Sequence, residues 1–215
     1  MTGTRDTVLQ AVRAALGGAS RDPQAIAAEA AALLEAPEAI RPRLPPGDVV
    51  ELFAERVASP KVSATLDRVA SLGELPEAVR RYLAAEDLPP VVALQPTVAL
   101  QDLDWHGIET RRTMTANEAV GVGLARWGIA ETGSLVFHSG PDTPILFNFL
   151  PLHHVVAVQA SRILAHLEDY AAAAAAEPAP RNVNLITGIS GTTDIEGSYV
   201  RGAHGPRFLH VIMVG

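Results

Sequence analysis

The chain has 215 residues, 48% apolar and 19% charged, with 17 basic against 24 acidic side chains and a net charge of −7. That composition excludes a disordered chain, because enough apolar surface is present to offset the entropy of ordering. The negative balance, with adjacent arginines only at Arg80/Arg81 and Arg111/Arg112, leaves no basic stripe for nucleic acid.

The chain contains no cysteine, which removes disulfides, thiolate zinc sites, cysteine nucleophiles and a thiolate-held iron–sulfur cluster on this chain, and makes the cytoplasm the expected compartment. Residues 1–18 carry Arg5, Asp6 and Arg13 among their apolar positions and do not read as a secretory signal. The uncharged run 143–161 approaches a membrane span in length. Pro144, Asn148, Pro151, His153, His154 and Gln159 interrupt it, so it reads as a loop followed by a buried strand, with no membrane span.

In chain order, Val8, Val12, Ala15 and Leu16, then Ile26, Ala30, Leu33 and Leu34, recur at helical spacing. Pro37, Pro42, Pro45 and Pro46 close this part. The reading is a helical N-terminal segment over 1–45, followed by one α/β domain over 46–215. From residue 49 helical stretches alternate with short apolar runs: helix 52–58, strand 62–66, helix 75–83, strand 91–94. Strands continue at 119–123, 134–138, 155–158, 183–187 and 209–214, and a long helix is expected over 160–177. Alternation of this kind predicts βαβ units and a largely parallel sheet, and continuous apolar runs predict burial on both faces.

Three stretches combine glycine, hydroxyls and charge at strand ends, where open α/β sheets place ligands. They are 128–134 (GIAETGS), 187–196 (TGISGTTDIE) and 202–207 (GAHGPR). In the second, backbone N–H groups with Ser190, Thr192 and Thr193 have the composition of an anion cradle running into a helical turn near Asp194. Capping of that turn by Asp194 explains part of the same run. The ligand-binding candidates are Gly188, Ser190, Gly191, Thr192, Thr193 and Arg207. Glu131 sits between apolar residues before a strand, where desolvation suits a general acid or base, while an exposed turn glutamate is the plainer reading. Glu131, Asp194, Glu196 and His204 are the catalytic candidates.

His153 and His154 are adjacent at a strand's start, so they point to opposite faces and do not share an ion. No metal site is assigned, the weaker option being zinc on His154, His204 and a carboxylate. Arg126 stands where a dinucleotide fingerprint begun by Gly121 and Gly123 needs glycine, and Thr192 stands where a nucleophile elbow needs one.

The motifs GIAETGS at 128–134, NFLPLHHVVAV at 148–158, SGTTDIE at 190–196 and GAHGP at 202–206 resemble, in order, those of the LUD domain. The chain is similar to the lactate utilization protein C (LutC/YkgG) family, most specifically over 115–214. That resemblance implies a three-layer α/β sandwich like the NagB/RpiA/CoA-transferase-like superfamily. It also implies a part in oxidising L-lactate to pyruvate beside iron–sulfur partner proteins. The matching positions are Glu131, Thr132, His154, Ser190, Thr193, Asp194, Glu196, His204 and Pro206. Lactate oxidation needs a two-electron acceptor, and no cofactor is recognisable on this chain. The expectation is a non-redox or accessory subunit binding a small carboxylate or phosphate. The alternatives are an autonomous phosphate- or CoA-handling enzyme of that superfamily, which isolated-chain turnover would reveal, and a pure assembly protein, which no ligand would stabilise.

Overall fold

The computed structural model describes residues 3–16, 22–35, 41–116, 118–193 and 197–215. Contacts divide the chain into two units, 1–42 and 43–215. In the first, helix α1 (Thr4–Ala15) carries Asp6 in its first turn and Arg13 in its last, the charge order that complements the helix dipole. Helix α2 (Pro23–Glu35) begins with proline at its first position, and Asp22 Oδ1 accepts from Gln24 N–H at 3.0 Å.

The second unit opens with α3 (Val49–Ala58), where Asp48 Oδ1 accepts from the N–H groups of Val50 and Glu51. There follow β1 (Thr65–Val69), α4 (Leu75–Ala85), β2 (Val91–Leu94), the short α5 (Val98–Gln101), β3 (Glu109–Arg111) and β4 (Val120–Leu124). Next come β5 (Trp127–Ile129), β6 (Ser134–His138), β7 (His153–Gln159), β8 (Ile163–Leu164) and α6 (Leu167–Ala174). The chain ends with β9 (Val183–Ile186), β10 (Gly191–Thr193), β11 (Tyr199–Arg201) and β12 (Phe208–Val214).

Six strands form one sheet in the order β1-β12-β7-β4-β2-β3, and every neighbouring pair is parallel. Period two along its strands divides the core. Val155, Ala157, Ile212 and Val214 face Leu75, Val79, Tyr82 and Leu83 of α4, while Val156, Val158, Val211 and Met213 face Phe53, Ala54 and Val57 of α3 with Leu135 and Phe137 of β6. Helix, sheet, and helix with a second sheet make three layers, and burial of both faces is why the central strands read as unbroken apolar runs. The second sheet has the order β8-β5-β6-β9, and β10 and β11 form an antiparallel pair of their own.

The structure corrects several expectations. In place of one helix over 160–177, Ala160–Arg162 is a single 3-10 turn, Ile163 and Leu164 are strand β8, and helix begins only at Leu167. Ile163 and Leu164 pair in parallel with Gly128 and Ile129, so their helical spacing to Leu167 is coincidental. Strand 62–66 moves to Thr65–Val69. The run at 183–187 is a sheet edge, with Val183 and Leu185 exposed, rather than a strand covered on both faces. Within the proposed anion loop, Gly191–Thr193 is strand paired with Tyr199–Arg201. The predicted helical turn near Asp194, and with it Asp194 and Glu196, lies outside the described residues. Among the described residues no helix is long and apolar enough to cross a membrane.

Candidate active site at the amino end of the sheet

The three glycine and hydroxyl stretches, separated by up to seventy positions in sequence, meet in space. Thr132 Oγ1 and Ser134 Oγ lie 2.6 Å apart, and Ser134 Oγ is 2.6 Å from Thr187 Oγ1, so a chain of hydroxyls joins the first stretch to the second. Ser190 N–H donates to Pro206 carbonyl and Gly202 N–H donates to Ser190 carbonyl, joining the second to the third. Gly188, at φ +89°, lies so close to Val62 that a Cβ would stand 2.3 Å from its carbonyl oxygen; only glycine fits there.

Their place differs from the expected one. Arg207 and Phe208 N–H both donate to Leu152 carbonyl, and Ile189 N–H donates to Val62 carbonyl. Leu152 and Arg207 immediately precede β7 and β12, and Val62 stands just upstream of β1, so the stretches gather at the amino ends of the parallel strands. Because Ile189 and Ser190 spend their N–H groups on protein carbonyls, the backbone there has few donors left for an anion. The cations come instead from side chains.

A hollow of about 60 Å³ opens between Ser63, Thr65, Tyr82, Glu86, Arg201, Arg207 and Phe208. A shallower groove of about 290 Å³ continues from it, sharing Thr65, Tyr82 and Glu86 and reaching Asp67, Arg81 and His210. Gly202, at φ +79°, sits beneath Arg207, whose Cβ is 2.8 Å from where a Cβ of residue 202 would be; this turn allows the arginine to reach the hollow. The Arg207 guanidinium lies 5.5 Å from the centre of the Phe208 ring. Arg81 is paired with Asp67 at 2.6 Å.

Beneath the hollow lies a compact ring cluster. Tyr82 Oη is 2.8 Å from His153 Nδ1, Tyr82 stacks on His210 at 4.3 Å between centres, His153 stacks on Phe208 at 4.3 Å, and Thr65 Oγ1 is 2.7 Å from His210 Nδ1. Burial holds the His153 imidazole below its ordinary pKa, with Glu86 pulling the other way. Burial lowers His210 to about 4, against the attraction of Asp67 and helped by Arg81. Tyr82 is raised by burial and then by Glu86. The three rings are therefore neutral at neutral pH, and the Tyr82–His153 pair presents an uncharged hydrogen-bonding group at the hollow's floor.

The sequence candidates fall into three groups. Arg207 lines the hollow, whereas Ser190 packs against Gly205, its Cβ 3.2 Å from the position of a Gly205 Cβ. His204, Gly191 and Thr193 are exposed and Thr192 is half-buried on the surrounding loops. Glu131 is half-buried in the β5–β6 turn, and its Oε2 accepts from Leu167 N–H at 3.2 Å, at the first residue of α6; the carboxylate caps a helix. His153 and His154 do face opposite sides of the sheet, His154 stacking on Phe137 at 5.8 Å. His154 is 1% exposed, both its ring nitrogens lack a hydrogen-bond partner, and burial lowers it to about 3. Tyr82, Thr65, Arg201 and His210 were not singled out by sequence. No local pattern marks them; the β1–β12 register of the fold is what sets Thr65 opposite His210.

The family model for the LUD domain matches residues 61–214. Lactate utilization protein C of Anoxybacillus flavithermus is 30% identical over 105 residues, 47% of each chain. Lactate utilization protein C of Deinococcus radiodurans is 29% identical over 190 residues, 83% of this chain and 88% of the relative. The uncharacterized protein YkgG of Escherichia coli is 35% identical over 92 residues, 40% of each. Apart from the Deinococcus protein, the matched region spans about half the length or less of these relatives. A crystal structure of a DUF162 family protein from Deinococcus radiodurans superposes with a TM-score of 0.56 at 19% identity, over 80% of this chain and 100% of the other; it shares the fold.

Proposed function

The chain belongs to the LUD domain family, and on that footing we propose that it is a component of lactate utilization that binds a small 2-hydroxy or 2-oxo carboxylate and works beside iron–sulfur partner proteins. The observation that carries the reading is the amino-end hollow, where Arg201 and Arg207 stand over the neutral Tyr82–His153 pair. A carboxylate engages the guanidiniums through charge-assisted hydrogen bonds. The neighbouring hydroxyl or carbonyl then faces the Tyr82 phenol, which can hold its proton or donate to it. Glu86 on the rim disfavours a second negative charge on the ligand, so a monocarboxylate of three or four carbons suits the hollow and its groove.

With no cysteine in the chain, no thiolate here can hold an iron–sulfur cluster; cluster-bearing partners supply the oxidant, and this chain holds and orients the acid. The relatives named for lactate utilization support the pathway. The test is isothermal titration of the full chain with pyruvate and L-lactate. Saturable binding is expected, weakened about tenfold or more in Arg207→Gln, since one charge-assisted bond is worth roughly 1.5–3 kcal/mol. Binding that is unchanged in both Arg207→Gln and Arg201→Gln would remove the hollow from the reading.

A further inference from the structure

The opposite end of the parallel sheet carries a second pocket with different chemistry. Strand β2 is followed outward by the edge strand β3, whereas β4 is followed by β7 and β12 on the other side. The strand order therefore reverses between β2 and β4. In open parallel sheets the crevice outside the carboxyl ends at such a reversal is where ligands bind. Here that crevice is a pocket of about 290 Å³.

Its polar lining consists of Gln95 just after β2, Arg126 just after β4, Arg162 just after β7, His138 at the end of β6, and Thr97 and Thr143, together with Gln159; among the described residues no aspartate or glutamate lines it. Gln95 is 1% exposed and its Oε1 accepts from Leu124 N–H at 2.9 Å, which leaves its amide NH2 to offer. Thr97 Oγ1 is buried without a hydrogen-bond partner. Burial, and then Arg126, hold the His138 imidazole below its ordinary pKa, and Tyr170 Oη lies 2.9 Å from its Nε2. Both guanidiniums sit against a single indole, Arg126 at 5.1 Å and Arg162 at 5.9 Å from the Trp127 ring centre. One carboxylate serves the two: Glu177 pairs with Arg126 at 2.5 Å, and both arginines lower its pKa.

Two guanidiniums held close by one ring, backed by amide and hydroxyl donors and balanced, among the described residues, by Glu177, form a site short of negative charge. We propose that this carboxyl-end pocket binds a small dianionic metabolite, a phosphate monoester or a dicarboxylate, with one negative group on Arg162 and the other drawing Arg126 away from Glu177. The site is separate from the amino-end hollow and does not depend on the function proposed for it.

The test titrates the full chain with inorganic phosphate and with malonate as probes. Saturable binding is expected for at least one: phosphate alone identifies the phosphate-ester class, malonate alone the dicarboxylate class. Arg162→Gln, at an exposed position, should keep the native circular dichroism spectrum and weaken the probe about tenfold or more. Glu177→Gln should tighten it. Saturating pyruvate should leave the probe's affinity unaltered. The proposal is overturned if neither probe binds, if Arg162→Gln binds as tightly as the native chain, or if pyruvate competes.

Discussion

At the amino end of the parallel sheet, the first residues of β7 and β12 bring three histidines into or beside the strands, each with its pKa pressed down by burial. The carboxyl end instead places Arg126 and Arg162 directly after the strands. At the amino-end hollow the permanent cations come from outside the parallel sheet, Arg201 at the end of β11 and Arg207 on the connection to β12, with Arg81 of α4 along the groove. Strand-borne imidazole is rigid and neutral near pH 7, whereas arginine keeps its charge across the physiological range. The two ends should therefore differ in how they respond to pH, and the buried histidines make the amino half the acid-sensitive one.

Acid unfolding gives the largest effect. His210 and His154 have folded pKa values of about 4 and about 3, against roughly 6.5 when unfolded. Above that unfolded value both states hold the neutral ring, and stability is flat. As pH falls below it the unfolded chain takes up protons that the folded chain refuses, so stability is lost down to the folded values. By pH 4.5 each ring costs about 2–3 kcal/mol. Urea midpoints between pH 7 and 4.5 check this. His154→Phe, which removes two orphaned buried nitrogens and retains a ring against Phe137, should flatten the slope by about one proton. An unchanged slope would mean that His154 is not the buried neutral group described.

Gly188→Ala probes whether the amino-end loops are as rigid as their contacts imply. A Cβ there meets Val62 carbonyl at 2.3 Å on a backbone of φ +89°, and strain of this kind costs about 1–3 kcal/mol before the collision is relieved. The expected result is a lowered thermal midpoint with weaker pyruvate binding, while phosphate affinity at the carboxyl end is unaltered. Equal loss at both ends would collapse the distinction between them.

What could be read from the sequence follows from burial. Strands β2 and β6 lie where their apolar runs place them, and β4, β7 and β12 within two residues, because burial on both faces demands continuous Val, Ile and Leu. Strands β3, β5 and β8, of three, three and two residues, are too short to leave a period. The misread helix at 160–177 shows the same limit from the other side, since Ile163 and Leu164 fit a helical stripe and are recruited by β5 instead. At the hollow, Arg207 carried a local signal in its Gly-Pro-Arg turn. Tyr82, Thr65 and His210 carried none, because Thr65 and His210 are 145 positions apart and only the parallel register makes them neighbours.

Glu131 gives the smallest effect and the sharpest test of that limit. Its placement between apolar residues is what a desolvated catalytic carboxylate requires, and equally what a carboxylate reaching a helix end requires; sequence offers no way to choose. In the fold, Oε2 accepts from Leu167 N–H, where negative charge also meets the positive end of the α6 dipole. Glu131→Gln keeps a hydrogen-bond acceptor but loses the charge, and should cost about 0.3–1 kcal/mol with pyruvate affinity within twofold of native. Loss of binding out of proportion to stability would return Glu131 to the chemistry, and would show that the amino-end site extends past the Thr132–Ser134–Thr187 hydroxyl chain to the β5–β6 turn.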